Sequence, residues 1–107
     1  MTDMPIACSL SKAELAERRV VLGALQVHCL EVRPLADTRG LELRFAPEAG
    51  ILATLARVVD LERQCCRFLD FKLDVAADGG PVSLTLAGPL GTTEFLVHEL
   101  GLVPTAA

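Results

Sequence analysis

The sequence predicts an α+β fold with the element order α-β-β-α-β-β-α, in which a four-stranded antiparallel sheet carries its helices packed on one face. Three observations predict it. The runs Leu41 to Phe45, Phe71 to Val75 and Val82 to Leu86 alternate apolar and polar residues with the two-residue period of half-buried strands. Two longer stretches, one on each side of the first strand pair, carry helical spacing instead. Short turns join neighbouring strands, which implies antiparallel pairing. The 107 residues suit a single domain, 1–107, with residues 1–8 and 103–107 as flexible ends.

Ser11-Lys12-Ala13-Glu14 fits a capping box, in which serine serves an orphan N–H and glutamate reaches back to the cap. Leu15, Arg18, Arg19, Leu22 and Leu25 then give a first helix to about Leu25, with Arg19 mixed into the stripe. Val27 to Arg33 reads as extended and stops where Pro34 interrupts pairing. Residues 34–40 have turn composition, and Leu41, Leu43 and Phe45 mark the second strand. Pro47-Glu48 opens the longest helix, because proline is tolerated in a first turn and a carboxylate there suits the dipole. That helix runs to about Phe68 or Leu69. The third strand follows, and Asp78-Gly79-Gly80-Pro81 turns it back into the fourth, forming a hairpin. Gly88-Pro89-Leu90-Gly91 breaks the chain before a last helix from Thr92 to Leu100.

Composition excludes several functions. A net charge of −4 and the lack of Trp and Tyr argue against a nucleic-acid binder. No apolar run approaches the ~20 residues needed to span a membrane, and the N-terminus does not read as a secretory signal. A cytoplasmic location follows, where thiols stay reduced. Cys8, Cys29, Cys65 and Cys66 are therefore read as thiols or ligands before disulfides.

The stretch LERQCCRFLDF, 61–71, carries the chemistry. Ile51, Leu55 and Val58 step by four and three, and the same stepping lands on Glu62, then Cys65 or Cys66, then Leu69. Glu62 therefore shares the core-facing stripe with both cysteines, at i+3 and i+4. Either cysteine alone is more often core filler than ligand. The glutamate weakens that reading, since a carboxylate among apolar groups needs a partner or an opening to water. Arg63, Arg67 or a metal could supply the partner. Adjacent helical residues diverge by about 100°, so the two sulfurs face one point only if the last turn unwinds. Cys8, near the start of the first helix, is the candidate third ligand. Cys29 is weaker: with Leu30 and Val32 facing the core it points away, and His28 and His98 read as ordinary surface residues.

ACSLSKAELAERR, LERQCCRFLDFKLDV and LAGPLGTTEFL together resemble a largely uncharacterised family of small bacterial proteins. The family has a Glu-x-x-Cys-Cys-x-Phe-Leu-x-Phe motif and a Gly-Pro-x-Gly turn before the last helix. The resemblance covers nearly the whole chain. It implies a setting beside, or fused to, mercury-responsive and other heavy-metal resistance proteins. It also implies that Cys8, Glu62, Cys65 and Cys66 are the characteristic polar positions, and Phe68, Leu69 and Phe71 the packing positions. The chain departs from the pattern at Arg67, where proline is expected, and at Leu90, where glutamate is expected.

Three functions follow from this reading. The first is thiolate binding of a soft ion, mercury, copper(I), zinc or arsenic, by Cys8, Cys65 and Cys66 with Glu62 as oxygen ligand or hydrogen-bonding support. The metal ion would be its partner, and no organic cofactor is expected. The second is a cysteine-dependent thiol enzyme, disfavoured because a neighbouring carboxylate raises a thiol pKa and no histidine is placed to activate it. The third is a regulatory or scaffold homo-oligomer with structural cysteines, whose open sheet face or first helix would bury against a second copy.

Overall fold

The computed structural model describes Ile6 and residues 9–105. Its elements are α1 (Lys12–Val27), β1 (Cys29–Pro34), a short 3-10 turn (Ala36–Thr38), β2 (Gly40–Phe45), α2 (Ile51–Cys65), β3 (Asp70–Val75), β4 (Val82–Ala87) and α3 (Thr92–His98). The α+β architecture and the four-stranded antiparallel sheet are those the sequence predicts. The spatial order of the strands is β1-β2-β4-β3, so two hairpins lie side by side and β2 pairs with β4 at the centre.

Alternation sets the core. Leu41, Leu43 and Phe45 on β2 stand beside Leu86, Leu84 and Val82 on β4, and all six are buried. Leu55, Leu96, Leu100 and Leu102 close over them from the helices and the chain beyond α3. Phe68 meets Phe95 edge to face at 5.0 Å, a geometry that favours the ring quadrupoles. The opposite sheet face is polar, with Arg33 bonded to Glu42 at 2.8 Å.

The capping box at Ser11 is present in both directions. Ser11→Ala should therefore cost about 1 kcal/mol; thermal unfolding checks it, and an unchanged midpoint would remove the cap from the account. The β3–β4 turn also follows its residues. Asp78 and Gly79 both take positive φ, as a type I′ hairpin turn requires.

Several boundaries differ from expectation. Helix α2 starts at Ile51, because Gly50 adopts a left-handed φ of 85° and separates the Pro47–Ala49 turn from the helix. It ends at Cys65, with Cys66 already non-helical, and its 15 residues make it one shorter than α1. Helix α3 stops at His98. A register shift between Cys29 and Glu31 exposes Leu30 and turns Cys29 toward the core, reversing the expected sides of those two residues, while Val32 faces the core as expected. Residues 103–105, expected to fray, are tied down: Gln26 brackets Val103, and Thr105 bonds both N–H and C=O of Val32.

Candidate functional site

Helix α2 ends under α1, and the two helices meet at opposite charges. Glu62, only 3% exposed, sits on the buried face of α2 with Leu55 and Cys65. An unpaired carboxylate there would cost several kcal/mol. Its partner is Arg18, whose Nη1 donates to Glu62 Oε1 at 2.5 Å. Arg18 follows Leu15 by three positions and precedes Leu22 by four, so the α1 stripe carries its side chain inward. The expected partners Arg63 and Arg67 are both exposed. The cation comes from the other helix.

The same Nη1 lies 3.7 Å from Cys65 Sγ. Cys65 Sγ in turn lies 3.2 Å from Leu61 O, the carbonyl one turn back. Cys66 Sγ faces the other side of the pair, 3.7 Å from Glu62 Oε2. The unwound end of α2 makes this possible: Cys66 has φ −107° and ψ 72°, and its N–H still closes the last turn onto Glu62 O at 2.7 Å. Leu69 N–H then bonds Cys66 O, bending the chain into β3. Cys65 Sγ thus lies near a cation and a carbonyl oxygen, and Cys66 Sγ near an anion.

Burial works against the Arg18 charge, but its bonds to Glu62 and Cys65 outweigh this and raise its pKa. The guanidinium therefore stays charged. A cation this close to sulfur favours the thiolate, whereas a carboxylate, burial and donation to a carbonyl such as Leu61 O disfavour it. Cys66 is wholly buried and Cys65 is 9% exposed. A shallow depression lined by Glu14, Glu17, Arg18 and Val21 opens on the solvent side of Arg18. Ser9 N–H bonds Cys65 O, so Ser9 lies against the same helix end.

The metal-site reading is overturned. Among the described residues there is no group of three or more His, Cys, Asp or Glu that could hold a metal ion. Glu62 does meet Cys66, but the cation beside Glu62 and Cys65 is the Arg18 guanidinium. Cys8, the expected third ligand, lies outside the described residues. Soft-metal binding by mercury, copper(I), zinc or arsenic, a metal ion as partner, and the heavy-metal context that the resemblance implied are all withdrawn on this ground. Cys29 packs against the core, where burial pushes its thiol up to about 11. His28 and His98 are exposed.

No family model matches the sequence, and comparison with curated proteins and with solved structures returns no match. Among the described residues, no helix is long and apolar enough to cross a membrane. Arg18 is the site residue missing from the sequence reading. A signal for it was present: basic residues, Arg18 and Arg19, in the apolar stripe of α1 and one acidic residue in that of α2 call for a pairing, although spacing alone does not say which arginine makes it.

Proposed function

We propose that this protein performs thiol chemistry at Cys65, as a thiol-exchange protein working in a reducing compartment such as the cytoplasm. The observation that carries the reading is the guanidinium of Arg18 held 3.7 Å from Cys65 Sγ by its bond to Glu62. The carboxylate that argued against a reactive cysteine from sequence is neutralised by this contact. Glu62 thereby becomes the group that positions the cation.

The reaction that suits such a thiol is exchange with a small disulfide. The Cys65 thiolate attacks one sulfur, the S–S bond breaks, and a Cys65 mixed disulfide forms while the other sulfur leaves as thiolate. Cys66 is the poorer nucleophile, being fully buried and facing Glu62. A disulfide between the two adjacent cysteines would need a strained ring. Cys66 is therefore assigned to packing beside the carboxylate.

Alkylation of the reduced protein with iodoacetamide, read cysteine by cysteine in a mass spectrometer, tests this. Cys65 should react about tenfold or more faster than Cys29 near neutral pH, since nucleophilicity follows the thiolate fraction. The Arg18→Met/Glu62→Leu variant should lose that advantage, because it removes the cation without stranding a buried charge. Equal rates at Cys65 and Cys29, or an advantage that survives in the double variant, would reject the proposal.

A further inference from the structure

The two edges of the sheet are treated differently. Thr105 bonds both backbone groups of Val32, which covers the β1 edge. Strand β3 forms the other edge, and among the described residues only β4 pairs with it. Ala76 N–H bonds Pro81 O at the hairpin end. Antiparallel alternation then directs the backbone groups of Asp74, Lys72 and Asp70 toward β4, and those of Phe71, Leu73 and Val75 toward the open edge.

Side chains add a second observation. Phe71, Leu73 and Val75 pair across the hairpin with Leu86, Leu84 and Val82, which are buried, yet Leu73 is 37% exposed and Val75 57%. The core face is thus unfinished along this edge. An open groove beside it, lined in part by Ile51, Leu52, Val75 and Val82, is apolar. Edge strands normally carry charges that block pairing. Here the charges alternate in sign, as Asp70, Lys72 and Asp74.

We propose that β3 pairs antiparallel with β3 of a second copy, centred on Leu73, to join two four-stranded sheets into one. Only that centre suits the sequence. It sets Lys72 opposite Asp74 twice by symmetry, Leu73 opposite Leu73, and Phe71 opposite Val75 twice. The last is an aromatic to β-branched pair, favourable across strands. The three residues whose backbone groups point outward are the three that face one another. A centre on Lys72 would oppose Lys72 to Lys72 and Asp70 to Asp74, and a centre on Asp74 would oppose two aspartates. A centre on Phe71 leaves Leu73, Asp74 and Val75 beyond the end of the partner strand. The interface is isologous and closes with two copies. It does not depend on the thiol reading.

Sedimentation of the wild type, of Lys72→Asp, of Asp74→Lys and of an equimolar mixture of the two variants tests the register. Wild type should sediment as two 11.4 kDa chains at micromolar concentration. Each variant alone sets like charges opposite and should self-associate about tenfold more weakly. Their mixture restores both opposite-charge pairs and should recover the dimer, with circular dichroism confirming that every variant is folded. A monomeric wild type overturns the proposal. So does a dimer that both variants leave intact, because that would place the two-fold elsewhere, and so does a mixture that fails to recover.

Discussion

Gly40→Ala should unfold this protein or remove most of its stability. Gly40 takes φ of 150°, and a Cβ built there would lie 1.8 Å from Leu86 O and 2.9 Å from Ala87 Cα. Both atoms are backbone of β4, the central neighbour of β2, so no side chain can swing aside. Nor can Gly40 retreat easily. Its N–H donates to Thr93 Oγ1, and its C=O accepts from Thr93 Oγ1 and from Leu35 N–H. A forced shift would pull β2 from both β4 and α3. A loss of about 4 kcal/mol or more is expected, at the extreme of single substitutions and a large part of the ~5–15 kcal/mol that stabilises a domain. Thermal unfolding measures it, and a midpoint within a few degrees of wild type would mean the two strands do not approach this closely.

Arg18→Met is the second large effect, and its cause is electrostatic. The substitution leaves Glu62 buried without its cation, and breaking one half of a buried pair costs about 3–5 kcal/mol. Adding Glu62→Leu should recover most of that loss, since two apolar groups of similar size need no solvation. The single variant should also recover as the pH falls and the stranded carboxyl takes up a proton. Urea unfolding of wild type, both single variants and the double variant gives the coupling between the two sites. A double variant as unstable as Arg18→Met alone would show that the arginine acts through packing of its stem rather than through its charge.

The fold was legible wherever one residue pattern sufficed. Alternation at 41–45, 71–75 and 82–86 gave three strands because each sets apolar residues on one face and polar residues on the other, although the apolar face of β3 is left largely exposed. Ser11 with Glu14 gave the start of α1, and Asp78-Gly79 gave the hairpin, because those chemistries are local. The start of α2 was missed because proline at a first helical turn and proline in a preceding loop look alike. The left-handed φ at Gly50 decides between them, and it is a backbone state rather than a composition. Cys29 and Leu30 were misassigned because a bulge adds one residue and breaks the alternation between them and Val32, which faces the core as expected.

For the site, helical spacing put Glu62 and Cys65 on the buried face of α2, and both are buried there, with Cys66 buried just beyond the helix end. The partner of Glu62 lies 44 positions away, and only the crossing of α1 over α2 brings Arg18 there. That contact changes the chemistry. With no internal cation, an acid beside two sulfurs resembles a vacancy for a metal; with Arg18 in place, the acid is already neutralised and one sulfur is singled out.

The ionisation of Cys65, followed by carbon NMR of its labelled Cβ through a pH titration, tests this account most directly. Arg18 at 3.7 Å should make Cys65 ionise at lower pH than Cys29, and removing the cation in Arg18→Met/Glu62→Leu should move the Cys65 transition upward. A Cys65 transition at or above that of Cys29, or one indifferent to the loss of Arg18, would contradict the account.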